Sequence, residues 1–255
     1  ESLWAKEEDC YDIHGNWIGV PEKRIQEIRF NFNTKNWNLK KANTDILPSN
    51  TIFLNLNLEK NQLLGNMKSK TRYNINLSKR KGVQVKTLGI EYLNIWYDLY
   101  KQTAQRNNFF LHDINYFRVV LSAKSENTLS PAKVILLVAE IDGLPLAAMF
   151  LVIAANRGTY LYGASSTENR NFMATYALQW KAIQIAKEYG CTEYDFFGIS
   201  PQADESHPMY GLHRFKSGFG GQIFHRMGCW DYPLNKEKYN YYTCMEFKNQ
   251  SYHLN

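Results

Sequence analysis

The sequence predicts an α/β fold, and three observations carry that prediction. Thr51-Ile-Phe-Leu-Asn-Leu-Asn-Leu alternates apolar and polar residues with the period of two that a half-buried strand requires. Two apolar runs, 134–141 and 146–155, flank Asp142-Gly143, a dipeptide suited to the tight turn of a hairpin. Around these strands lie stretches with apolar residues at three-to-four spacing that end at glycine, the pattern of helices.

In order along the chain, residues 1–50 are interrupted by Gly15 and Pro21 and offer one strand, Ile28-Arg-Phe-Asn-Phe-Asn. Residues 59–82 predict a single helix, with Leu63, Leu64 and Met67 as its apolar cluster and Gly82 as its stop. A short strand follows at 83–86. Helices are predicted over 90–107, on the spacing of Leu93, Trp96, Tyr97 and Tyr100, and over 114–124. After the hairpin, the Arg157-Gly158 turn leads into a third strand at 159–163. A long helix over 174–189 stops at Gly190, and a strand over 192–197 closes the series. Strand, two helices, a three-strand meander, a long helix and a strand is the order of a GNAT-type acyltransferase core.

Bulk properties narrow the function classes. The formal net charge is +6, which favours anionic partners such as nucleic acid, nucleotides or phospholipid headgroups. Cys10, Cys191, Cys229 and Cys244 form no CxxC pair, so neither a zinc site nor a disulfide framework is expected. The longest apolar run, 134–155, is broken by Glu140, Asp142, Gly143 and Pro145, and no membrane span is expected. No signal peptide is read, and the expected location is cytoplasmic.

Four segments carry the chemistry. In the first, Lys68, Lys70, Arg72, Lys79, Arg80 and Lys81 lie together with no acid among them. Such a run is either a solvated helix face or a phosphate-binding face that gains affinity by releasing counterions. The second is Asn107-Asn-Phe-Phe-Leu-His-Asp-Ile-Asn-Tyr-Phe, with His112 and Tyr116. The third is Tyr160-Leu-Tyr-Gly-Ala-Ser-Ser followed by Arg170-Asn-Phe-Met-Ala-Thr. Its period of two puts Tyr160 and Tyr162 on one strand face, where they either pack across strands or line a cleft. The 170–175 stretch has no glycine, whereas an acetyl-CoA enzyme needs a glycine-rich turn before its long helix to receive the pyrophosphate. The fourth is Tyr210-Gly-Leu-His-Arg-Phe-Lys-Ser-Gly-Phe-Gly-Gly, whose glycines permit tight turns.

Together these segments resemble the FemABX family of aminoacyl-tRNA-dependent peptidyltransferases, in its armless form. The resemblance covers about residues 51–240 and is most specific in the Phe215-Lys216 string and the 64–83 segment. The family has two GNAT-like domains. It implies a complete second domain over 58–224 and a reduced or incompletely represented first GNAT-like domain over 1–57, completed by 225–255. The implied reaction moves Gly, Ala or Ser from aminoacyl-tRNA to the side-chain amine of the third stem-peptide residue of UDP-MurNAc-pentapeptide or lipid II. A lipid-linked acceptor would imply peripheral contact with the inner membrane face. No cofactor and no metal are implied.

Residue by residue, the resemblance puts Phe215 and Lys216 at the aminoacyl-tRNA end of the cleft. Lys216 would stabilise the tetrahedral oxyanion or bind the terminal tRNA phosphate. It gives Lys68, Lys70, Arg72, Lys79, Arg80 and Lys81 to tRNA. It gives Lys6 (in Trp4-Ala-Lys), His112, Tyr116, Tyr160 and Tyr162 to the acceptor, with His112 standing where family members have an arginine. Asp195 or a substrate group would accept the proton of the attacking amine. The competing readings are an acetyl-CoA-dependent N-acetyltransferase, an enzyme that tags protein N-termini from tRNA, and a non-catalytic tRNA-binding protein.

Overall fold

The structure, a computed structural model, describes residues 39–45, 47–123 and 131–249. In chain order the first elements are β1 (Lys40–Lys41), β2 (Asn50–Asn55), α1 (Lys60–Asn66), α2 (Ser69–Arg80) and β3 (Gln84–Leu88). Then come α3 (Leu93–Asn107), α4 (Ile114–Ser122), β4 (Ala132–Ile141), β5 (Leu144–Ala154) and β6 (Arg157–Ser165). The series ends with α5 (Ala174–Glu188), β7 (Glu193–Asp195), α6 (Tyr210–Lys216), β8 (Gln222–His225), β9 (Trp230–Asp231) and α7 (Lys236–Asn249).

The chain divides into two compact units, Asn50–Phe224 and Glu1–Ser49 with His225–Asn255. The sequence reading puts a boundary after residue 57. Instead β2 pairs antiparallel with β7, through Phe53↔Asp195 and Leu54↔Tyr194, and so belongs to the larger unit. In the smaller unit β1 pairs with β9, and Asp45 accepts hydrogen bonds from Lys41 Nζ and the Cys229 amide. The strand expected at 28–33 lies outside the described residues.

The larger unit is a mixed α/β, GNAT-like fold. Its seven-stranded sheet has the order β3-β4-β5-β6-β7-β2-β8. On one face Leu137, Met149 and Leu151 meet Leu178 and Ile183 of α5, Leu63 of α1 and Ile75 of α2. On the other, Leu136, Val138 and Phe150 meet Trp96 of α3 and Phe117 of α4. Alternating strand residues thus feed two separate cores, as period-two patterning with helices on both faces requires.

Two departures from the sequence reading shape the site. The helix expected over 59–82 breaks into α1 and α2 at Met67 and Lys68, both extended. No proline or glycine stands at the break. The Lys68 amide donates to the Gly218 carbonyl, and the Arg72 guanidinium turns back to donate to the carbonyls of Leu64, Gly65 and Met67. These contacts satisfy groups a continuous helix would have bonded itself. The second departure is a β-bulge. Phe150 pairs with Tyr162 and Leu151 with Tyr160, which leaves Leu161 as the extra residue. Tyr160 therefore packs on the α5 face and Tyr162 on the α3 face. The expectation that period-two spacing puts both on one face fails at that inserted residue.

Candidate active site

Strands β6 and β7 run parallel for three pairs only, Arg157↔Glu193, Gly158↔Tyr194 and Thr159↔Asp195. Beyond them β6 continues to Ser165, while the chain after Asp195 turns away. The turn is made by Phe197, a non-glycine residue at φ +58°. A left-handed backbone costs such a residue about 1–2 kcal/mol, so the surroundings must hold it. They do so through Asp195. Its buried carboxylate accepts the Phe197 amide at 2.8 Å and also the Thr51 hydroxyl.

Lys216, at the C-terminal end of α6, fills the opening between the parted strands. Its Nζ donates to the carbonyl oxygens of Gly198 at 2.7 Å and Phe197 at 3.2 Å. It lies 5.2 Å from the centroid of the Tyr160 ring, on the face of the negative π-cloud. The residue is 5% exposed. Burial pulls its pKa down from 10.5 to about 7, and the nearby charge of Asp195 opposes that fall. An ammonium has three donors; two are taken by the carbonyls, and one is left for a ligand. Phe215 packs edge-on against Tyr176 and Phe219 and walls the same region. Burial pushes the Tyr160 hydroxyl up to about 12, so it stays neutral.

The glycines after Lys216 let this segment dock. A Cβ on Gly218 would lie 2.3 Å from Thr71 Oγ1 of α2, and one on Gly221 (φ +90°) 2.5 Å from the Phe53 carbonyl oxygen. The N-terminus of α2 and the Phe-Lys string are thereby locked together, which joins two segments that the sequence singles out separately.

On the opposite face lies a second cluster. The Tyr116 and Tyr162 hydroxyls are 2.7 Å apart. His112 stacks on Tyr116 at 4.6 Å between ring centroids, and Tyr97 donates to the His112 carbonyl. Burial, then the bond to Tyr116, raises the Tyr162 pKa. Three of the residues assigned to the acceptor thus come together here, while Tyr160 sits with Lys216. Lys6 lies outside the described residues.

Of the six basic residues, Lys68, Lys70, Lys79 and Arg80 are exposed. Arg80 also stacks over the exposed Tyr73 ring. Arg72 is turned inward to the α1 carbonyls, so the assignment of all six to one solvent face is corrected. Lys81 bonds the Asn171 carbonyl and covers Phe172. That closes off the turn before α5, which is built on Asn169 and Met173 at φ +58° and +55° and contains no glycine. Asp195, read as a proton acceptor, has its carboxylate engaged by Thr51 and Phe197 and is 3% exposed. Sequence reasoning missed Thr51 and Phe197. An acidic residue set directly before two phenylalanines, Asp195-Phe-Phe, is the signal that could have led to the first. No sequence signal marks the second.

A separate cavity of about 730 Å³ is lined by Asn55, Asn66, Thr192, Gly221 and Gln222 among others, and includes neither Lys216 nor Tyr160. Among the described residues there is no cluster of side chains suited to a metal ion, and no helix is long and apolar enough to cross a membrane.

Residues 25–142 and 122–247 match the FemAB family. A lipid II:glycine glycyltransferase of Staphylococcus epidermidis is 25% identical over 299 residues, covering 92% of this chain and 71% of that protein. The enzyme of the same name from Staphylococcus aureus is 25% identical over 256 residues, covering 76% of this chain and 61% of that protein. The crystal structure of FemX superposes with a TM-score of 0.74 at 22% identity, over 84% of this chain and 71% of that one. At that identity the superposition speaks for the fold.

Proposed function

The chain belongs to the FemAB family, and on that premise we propose that this transferase moves an amino acid from aminoacyl-tRNA to the side-chain amine of the third stem-peptide residue of a peptidoglycan precursor. The relatives' names favour glycine as the transferred group and lipid II as the acceptor, ahead of Ala, Ser and UDP-MurNAc-pentapeptide. The smaller unit, 1–49 with 225–255, is then the reduced or incompletely represented first GNAT-like domain.

The observation that carries this reading is the buried lysine in the opening between β6 and β7, with one N–H left over. The acceptor amine attacks the ester carbonyl carbon and forms the C–N bond. The remaining Lys216 N–H donates to the oxyanion as it develops, where a buried donor is worth most. Collapse breaks the bond to the ribose oxygen, which takes up a proton as it leaves. With a pKa of about 7 Lys216 can supply that proton and recover one from the attacking amine, without help from Asp195. His112, Tyr116 and Tyr162 contact the acceptor, and Lys68, Lys70, Lys79 and Arg80 the tRNA backbone. Aminolysis of an activated ester needs no covalent enzyme intermediate.

The test mixes the protein with tRNA charged with radiolabelled Gly, Ala or Ser and with lipid II or UDP-MurNAc-pentapeptide. Label should move to one acceptor, and Lys216→Met should depress kcat far more than acceptor KM. Transfer with an unchanged kcat in Lys216→Met sinks the lysine's role. No transfer to any acceptor, with tRNA still bound, sinks the reaction and favours a tRNA-binding protein.

A further inference from the structure

Lys216 is placed by backbone carbonyls, and those carbonyls are themselves placed by something else. Phe197 and Gly198 present both oxygens to one nitrogen only because Phe197 is left-handed. Phe197 has no side-chain reason to be so, since it is neither glycine nor an Asn or Asp that could bond its own backbone. What holds its amide is Asp195 Oδ1, and what holds Asp195 is the Thr51 hydroxyl, from the neighbouring strand. Thr51 is fully buried and Asp195 nearly so. Two further backbone bonds, Phe196 amide to Ile52 carbonyl and Ile199 amide to Asn50 carbonyl, fasten the turn to β2 on either side.

We propose that Asp195 and Thr51 are positioning residues for Lys216: Thr51 orients the Asp195 carboxylate, which fixes the Phe197–Gly198 turn and at the same time sets a negative charge close to the lysine. The inference rests on the role given to Lys216 above, and it explains why a carboxylate is buried at the end of β7, where it accepts from the Thr51 hydroxyl and the Phe197 amide. The titratable groups around Lys216 are Tyr160, on β6, and Asp195, at the end of β7. His213, one turn back on α6, is directed to Ser200 instead. Tyr160 stays neutral up to about 12, which leaves Asp195 as the charged neighbour. Loss of its charge removes the influence that opposes burial.

The experiment titrates Lys216 directly in the full chain, by the 13C shift of the lysine Cε carbon in protein labelled with 13C-lysine. The resonance with a midpoint near neutral pH is assigned by its disappearance in Lys216→Met. Asp195→Asn keeps both acceptor contacts and removes the charge, and its midpoint should fall by about one unit or more. Thr51→Val keeps the charge and frees the carboxylate, and should lower the midpoint less; Thr51→Ser should restore it. Transfer by Asp195→Asn should fall about fivefold at pH 7 for a one-unit shift and recover in part at lower pH, as a loss of the lysine's proton requires. A midpoint unmoved in both Asp195→Asn and Thr51→Val overturns the inference. Should Asp195→Asn fail to fold, the Thr51 pair reads the same midpoint. The titration needs no turnover, so a wild-type protein that transfers nothing overturns the proposed function without touching this result.

Discussion

Replacing Lys216 with methionine should change how stability depends on pH, and the size of that change follows from the burial of its nitrogen. The folded chain releases the Lys216 proton near pH 7, whereas the unfolded chain holds it to about 10.5. Between those values the unfolded state binds more protons, so wild-type stability rises with pH. Below the folded value the cost of burying the cation is present in full; above the unfolded value it is gone. One pKa unit is worth about 1.4 kcal/mol. From pH 7 to pH 9 the native lysine passes from half-protonated to neutral, so the wild type should gain about 2 kcal/mol on Lys216→Met. Methionine fills a similar volume and carries no proton, so titrating groups that do not interact with the lysine cancel in the difference. Urea unfolding of both proteins at pH 7 and pH 9 measures it. Stability curves that run parallel between those values would refute the claim that this lysine is buried as described. The methionine variant should also be the more stable protein at pH 6, a functional residue being held at a cost in stability.

The basic residues should separate by role. Lys70→Ala or Arg80→Ala should weaken tRNA binding and reduce the salt slope by about one unit each, read by filter binding across a salt series. Arg72→Ala should leave that slope alone and instead lower stability by about 1 kcal/mol, through the α1 carbonyls it leaves without a donor. Gly218→Ala should destabilise the fold by about 1–3 kcal/mol in thermal melts, because its Cβ meets Thr71 Oγ1. Adding Thr71→Ala should restore much of the loss. Tyr116→Phe removes the hydroxyl facing Tyr162 and should raise acceptor KM while leaving tRNA binding unchanged.

The strands and helices of the larger unit were legible because the central strands β4 and β5 feed a core on both sides. The 134–141 and 146–155 runs, the 174–189 helix and the short strands around them are all found within a few residues. What escaped the sequence was decided by contacts far along the chain. Gly65 alone hints at a break at Met67 in 59–82, and the carbonyl that takes the Lys68 amide belongs to Gly218, far along the chain. Lys216 was legible as a candidate through the resemblance of the Phe215-Lys216 string to the FemABX family, yet its partners were not. They are main-chain oxygens, and their direction depends on one left-handed phenylalanine. Arg72 looked like its basic neighbours until the α1 end stood beside it. Tyr160 and Tyr162 were read by a rule that holds for regular strands, and Leu161 makes this strand irregular.

That single extra residue has an evolutionary meaning. In a regular strand, two side chains separated by one residue share a neighbourhood, and a change in either is felt by the other. The bulge gives Tyr160 to the lysine's face and Tyr162 to the face with His112 and Tyr116. On the proposed assignment, substitutions on one side can then retune the choice of acceptor while the reaction centre on the other stays as it is. Loss of Leu161 would couple them again: a one-residue deletion would force a tyrosine across the sheet and disturb the packing of both faces at once.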